Sequence, residues 1–111
     1  MNIVEYIEKH KIICICRKIY GEELLRLAHA MYDGGIRLME VTFDQADPEA
    51  VKKTAQAIEL LRGEFGETMH FGAGTVLTQE QVRAAKAAGA EYIISPNTNV
   101  DIIHLTKELG M

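Results

Sequence analysis

The chain of 111 residues reads as an α/β protein built on parallel βαβ units, and three observations carry that reading. Short apolar runs alternate with amphipathic stretches along the whole length. The runs are almost continuously apolar, as strands become when helices cover a parallel sheet. The joins between the two kinds of segment hold the capping residues and glycines that start and stop helices.

In chain order, Ile3 to His10 forms a short amphipathic helix, placed either as a plug at the bottom of a barrel or simply on the surface. The strands are KIICIC (11–16), IRLMEVTF (36–43), MHFGAGTV (69–76) and EYIISP (91–96). Asp47 ahead of Pro48 places a capping carboxylate before a first-turn proline, and Thr78-Gln79-Glu80-Gln81 is a capping box. Gly34-Gly35, Gly89 and Gly110 supply helix ends that turn left-handed without steric cost. Leu24, Ala28 and Met31, then Val51, Ala55 and Ile58, recur at helical spacing as core faces do. LAHAMYDGGIRLMEVT and VRAAKAAGAEYIISP form a weak repeat of helix, glycine and strand. A third copy begins at HLTKELGM and stops at its glycine, so the chain is expected to be truncated.

Composition narrows the function classes. With 48% hydrophobic and 25% charged residues, one globular domain over 1–111 is expected, with enough residues for a core. A full eight-stranded α/β barrel needs roughly 200 residues or more. A net charge of −4 with scattered basic residues leaves no footprint for nucleic acid or an anionic membrane. No apolar run approaches the ~20 residues of a membrane span, and the charged start is unlike a signal peptide, so a cytoplasmic location is expected. Cys14 and Cys16 lie one residue apart on a strand, face one side and are expected to be buried, reduced thiols. His10, His29, His70 and His104 lack metal-ligand spacing, so no metal is assigned. The GxSxG, P-loop and GxGxxG signatures of hydrolases and nucleotide binders do not occur.

Several residues stand out on chemistry alone. Glu40 interrupts an apolar strand and alternates with Ile36, Leu38 and Thr42 toward the interior. It is either an ion-paired structural glutamate or a proton shuttle, because burial raises a carboxyl pKa toward neutrality. Gly72 and Gly74 remove side chains near a strand end, while Thr75 points a hydroxyl to the opposite face. That is either room for a ligand or a tight βα turn. Arg17 closes the first strand, as an anion ligand or a solvated arginine. Pro96 can end the last strand, having no N–H to give a ladder.

Four stretches in order, KIICICR (11–17), GGIRLMEVTF (34–43), FGAGTVLT (71–78) and AGAEYIISP (88–96), resemble the first four strands of the 2-keto-3-deoxy-6-phosphogluconate (KDPG) and 4-hydroxy-2-oxoglutarate (KHG) aldolases. The resemblance runs end to end but covers about half of the family's length. It implies a (βα)₄ unit corresponding to the first half of a TIM (β/α)₈ barrel. It also implies class I chemistry, in which a lysine imine acts as electron sink and no cofactor is needed. By the same resemblance Glu40 is the general acid/base, Thr75 contacts the pyruvyl part of a 2-keto acid substrate, and Arg17, Gly74 and Pro96 are substrate-binding.

Two departures qualify this. Several relatives carry arginine four residues after the glutamate, where this chain has Asp44, which shifts any carboxylate binding to Arg17. The Schiff-base lysine of an FKFFP-type strand does not occur here, and Lys18 is the nearest lysine to the strand ends. The expectation is therefore an aldolase-family chain inactive by itself. The alternatives are a non-catalytic half barrel that binds a small carboxylate or associates with itself, and a phosphate-binding barrel of another type. Exposed edges and an apolar inner face favour a homo-oligomer.

Overall fold

A computed structural model describes all of residues 1–111. The elements are α1 (Ile3–His10), β1 (Ile13–Cys16), α2 (Gly21–Asp33), β2 (Leu38–Thr42), α3 (Ala50–Phe65), β3 (His70–Gly74), α4 (Gln79–Ala88) and α5 (Val100–Glu108). β1, β2 and β3 are parallel neighbours in that order, in a register that sets Ile15 beside Glu40 and Glu40 beside Gly72. The expected strand at 91–96 is shorter than its sequence pattern. It forms a single parallel bridge, Ala73 to Ile93, although four backbone hydrogen bonds join it to the β3 side: Glu91 to Phe71, Ala73 to Tyr92, Ile94 to Ala73 and Val76 to Ile94. Pro96, with no N–H to donate, follows directly and ends the ladder.

The alternation of each strand divides the sheet into two faces. Cys16, Met39, Val41, Phe43, Phe71 and Ala73 point into a core shared with Leu24 and Ala28 of α2, Ile58, Leu61 and Phe65 of α3, Val82 of α4 and Ile102 of α5. Their neighbours Ile15, Glu40 and Gly72 lie on the other face. Cys14 and Cys16 are both unpaired thiols on the helix side, and burial together with the neighbouring Cys14 pushes the Cys16 thiol up to about 12. Such a thiol carries almost no thiolate near neutral pH and acts as a small hydrophobe.

Helix ends follow the sequence with two shifts. Thr78 forms the expected capping box, its hydroxyl accepting from the Gln81 N–H while the Gln81 side chain accepts from the Thr78 N–H. Gly35, Gly89 and Gly110 take left-handed angles, whereas Gly34 does not. α3 starts at Ala50, later than Asp47-Pro48 predicts, because Asp47 accepts from the Glu49 N–H at 2.8 Å and pairs with Lys53 at 2.6 Å outside the first turn. The buried stripe of α3 also lies one step from the predicted one. It runs through Ala50, Thr54, Ala57, Ile58, Leu61 and Phe65, whereas Val51 and Ala55 are half-buried. Thr54 was hidden as a core residue by its hydroxyl, which donates to the Thr42 carbonyl at 3.1 Å and so is satisfied inside. α1 spans its predicted residues and sits at the N-terminal end of the sheet, where the Tyr6 ring packs 3.8 Å from the His70 ring. His70 is held in turn by Glu91 at 2.8 Å, and Glu91 by Arg62 at 3.3 Å.

Over β3 the inner face is covered by Tyr92, whose ring lies against Gly72 and whose hydroxyl donates to the Met39 carbonyl at 2.8 Å. A Cβ on Gly72 would lie 2.4 Å from that ring. Gly72→Ala should therefore destabilise the fold by about 1–3 kcal/mol through overpacking. Tyr92→Phe, which loses one hydrogen bond and keeps the packing, should cost about 1 kcal/mol. Urea denaturation of the two variants checks the order; an alanine tolerated better than the phenylalanine would contradict the packing argument.

Candidate active site

Parallel strands put all their C-terminal ends at one edge of the sheet, and the loops that follow β1, β2 and β3 enclose a cavity of about 330 Å³ there. Arg17, Lys18, Thr42, Asp44, Gln45 and Thr75 line it. Each follows or ends a strand, so the chain direction alone brings them together. Two residues at this edge have left-handed backbones without being glycine: Lys18 with φ 56° and Thr75 with φ 55°. For a β-branched residue that conformation is a genuine outlier, of the kind that accumulates at functional sites. Thr75 consequently leaves the strand alternation, so its direction is set by the turn and not, as the sequence pattern suggested, by the pleat.

Glu40 sits one step below the cavity, 4% exposed on the inner face. Gly74 makes the space for it: a Cβ there would lie 2.4 Å from the Glu40 carboxylate oxygen. Desolvation raises the Glu40 pKa above the ordinary carboxyl value, and the positive charge of Arg17 opposes that rise. A carboxyl in this state exchanges protons nearer neutral pH than a solvated one. Asp44 stands at the rim, its carboxylate 3.9 Å from the Lys18 ammonium, whose side chain is 75% exposed. Thr42 donates to the Cys16 carbonyl at 3.4 Å, tying β2 to β1 just under the rim.

Of the residues singled out in the sequence, Arg17, Glu40, Gly74 and Thr75 meet at this edge, through the cavity lining, the Glu40–Arg17 field and the Gly74–Glu40 approach. Pro96 is exposed and lines none of the cavities. Sequence reasoning passed over Gln45 and used Gln81 only as a cap. Gln81 is 6% exposed and bonds Gln45, a pairing that two polar residues 36 positions apart do not announce. Among these residues no group of three or more His, Cys, Asp or Glu side chains could hold a metal ion. No helix is long and apolar enough to cross a membrane.

A parallel βα sheet with a buried carboxyl and a cavity at the C-terminal ends of its strands is the arrangement in which (β/α) barrel enzymes build their sites. Residues 3–111 match the family model "KDPG and KHG aldolase", and the chain belongs to that family. It is 38% identical over 103 residues to the 2-dehydro-3-deoxy-phosphogluconate aldolase of Treponema pallidum, covering 93% of this chain and 46% of that protein. The enzyme of the same name from Haemophilus influenzae is 33% identical over 109 residues, 98% of this chain and 48% of its own. Among solved structures, KDPG aldolase from Legionella pneumophila, with pyruvate captured as a covalent carbinolamine, superposes with a TM-score of 0.70 at 36% identity, over 86% of this chain and 43% of that one. The chain thus spans about half the length of the relatives it matches.

The raised Glu40 pKa has a sign that can be checked. Its charged form is disfavoured in the folded state, so the stability contribution of Glu40 is fully present below its unfolded pKa and is lost as pH rises through the higher folded value. Glu40→Gln should therefore raise the thermal midpoint at pH 7, by about 4–8 °C for each kcal/mol of desolvation relieved. That gain should vanish on acidification below the ordinary carboxyl range. Thermal melts between pH 3.5 and 8 read it; a glutamine variant less stable at pH 7 would mean that Glu40 is held by a partner.

Proposed function

We propose that this chain carries the acid/base and 2-keto acid-binding end of a class I aldolase that cleaves a KDPG- or KHG-type substrate to pyruvate and an aldehyde. The observation that carries the reading is the burial of a carboxyl, Glu40, on the inner face of the sheet against Gly74 and within the field of Arg17. In this reading Glu40 moves protons to and from the substrate oxygen and carbon, and Arg17 holds the substrate carboxylate. The Thr75 hydroxyl bonds the pyruvyl part, and Gly74 leaves the room that the Glu40 carboxylate occupies beside it. Asp44 at the rim repels a second carboxylate or phosphate beside it, so the distal anion of such a substrate lies elsewhere.

The carbanion that forms on cleavage needs an imine as electron sink, and the imine needs a desolvated amine. Lys18 fails that requirement, its side chain being 75% exposed and its ammonium 3.9 Å from the Asp44 carboxylate. The 111 residues hold no FKFFP-type strand. General acid/base help is typically worth about 10²- to 10⁴-fold and does not replace the imine. The chain alone should accordingly not cleave at a family-like rate.

A second reading, self-association through the sheet, is favoured by Ile12 and Ile15 on the free β1 side at 58% and 57% exposure and Ile94 at 40%. Light scattering reads it: a mass of one chain at micromolar concentration speaks against it.

Two measurements test the main reading. Incubation with pyruvate and borohydride should leave the intact mass of the 111-residue chain unchanged; a stoichiometric adduct at Lys18 would overturn the argument on the amine. Joining this chain to the C-terminal half of the Treponema pallidum relative should yield a protein that releases pyruvate from KDPG or KHG. In that chimera Glu40→Gln should lower kcat about 10²- to 10⁴-fold, while a variant within threefold of the parent would remove Glu40 from the chemistry.

A further inference from the structure

The left-handed Thr75 is held in place by its surroundings. The peptide before it is pinned because the Gly74 carbonyl accepts from the Phe43 N–H at 3.0 Å. The peptide after it is pinned at both ends: the Val76 N–H donates to the Ile94 carbonyl at 3.2 Å, and the Thr75 carbonyl accepts from Gln45 Nε2 at 2.8 Å. With both flanking peptides fixed, φ and ψ of Thr75 have nowhere to relax. Two of the three partner groups, the Phe43 N–H and the Ile94 carbonyl, belong to the backbone of strands or their extensions. Gln45 is the exception, and it is the only one that a substitution can remove.

Gln45 does not act alone. Its Nε2 also donates to the Phe43 carbonyl at 3.1 Å, so both amide hydrogens are spent on backbone carbonyls. Its Oε1 accepts from Gln81 Nε2 at 2.9 Å. Gln81 Oε1 accepts from the Leu77 N–H at 2.8 Å and the Thr78 N–H at 3.3 Å, filling both of its lone pairs. Backbone groups therefore dictate the orientation of each amide independently, carbonyls at one end and N–H groups at the other. The two orientations so dictated are complementary where the side chains meet. A pairing of this polarity needs glutamine at both positions, because a carboxylate at 45 would face two carbonyls and one at 81 would leave Gln45 Oε1 without a donor.

We propose that Gln45 and Gln81 form a positioning relay, running from the turn that opens α4 to the loop after β2, which holds the Thr75 backbone left-handed and so aims its hydroxyl at a 2-keto acid in the cavity. The ligand half rests on the function proposed above. Gln45 and Thr75 share the cavity wall, whereas the 6% exposure of Gln81 keeps the far end of the relay dry and its hydrogen bonds strong.

The test is an NMR titration of the isotopically labelled 111-residue chain with pyruvate, alongside Gln45→Met, which keeps length and volume but cannot donate. The Cα and Cβ shifts of Thr75 report its backbone, the Thr75 and Val76 amides report pyruvate, and a thermal melt reports stability. In Gln45→Met the Thr75 shifts should leave their left-handed values and pyruvate should bind about tenfold more weakly, with the thermal midpoint within a few degrees of the parent. Unmoved Thr75 shifts overturn the relay whatever pyruvate does, and moved shifts with unchanged affinity overturn its role in binding. Should the unsubstituted chain itself show no pyruvate shifts, the failure belongs to the proposed function and takes the ligand half of this inference with it. Gln81→Met, acting from the buried end, should reproduce the Thr75 displacement; intact Thr75 shifts in that variant would reduce the relay to Gln45 alone and overturn it as drawn.

Discussion

The close approach over β3 is the constraint on which the inner face depends. Gly72 and Gly74 occupy two successive inward positions, and each leaves a volume that something else fills to within 2.4 Å of the missing Cβ: the Tyr92 ring over Gly72 and the Glu40 carboxylate against Gly74. The aromatic ring covers the middle of the sheet, and the carboxylate one inward position further along is desolvated by burial. A single methyl at either glycine would push one of these groups away, and with it the perturbed acidity of Glu40. The shape of β3 thus sets the electrostatics of β2.

Much of this was legible in the sequence because it depends on short-range rules. Strand polarity, helix caps and the burial of Glu40 follow from alternation, from Thr78 and Gln81 at capping-box spacing, and from one charge in an apolar run. The ends of parallel strands then gather Arg17, Glu40 and Thr75 without any knowledge of side-chain contacts. What escaped the sequence is what depends on pairs distant along the chain or on unusual backbone. The hydroxyl of Thr54 disguised a core position. The left-handed angle at Thr75 broke the alternation on which its direction had been argued. The strand at 91–96 looks like its neighbours in composition, yet forms only one bridge, because Pro96 interrupts it and no described strand lies on its other side.

The two ends of the sheet are built differently. At the N-terminal end the aromatic contact of Tyr6 with His70, backed by Glu91 and Arg62, closes the interior with paired groups. At the C-terminal end the loops leave a cavity and two strained residues, Lys18 and Thr75. The N-terminal end has a left-handed residue too, Lys11 at φ 68°, but there it only ends α1, whereas Lys18 and Thr75 stand in the wall of the C-terminal cavity.

The charges around that open end have a kinetic implication. Arg17 and Lys18 contribute two positive charges and Glu40 and Asp44 two negative ones, so with Glu40 ionised the mouth is formally neutral. A neutral mouth on a chain of net charge −4 offers an anionic ligand no long-range attraction. Encounter would then gain nothing from electrostatic steering, leaving discrimination to contacts made after arrival. Protonation of Glu40 changes this balance: the mouth gains one net positive charge at the moment its carboxyl becomes a donor, so on the proposed acid/base role capture of an anion and readiness for proton transfer would rise together.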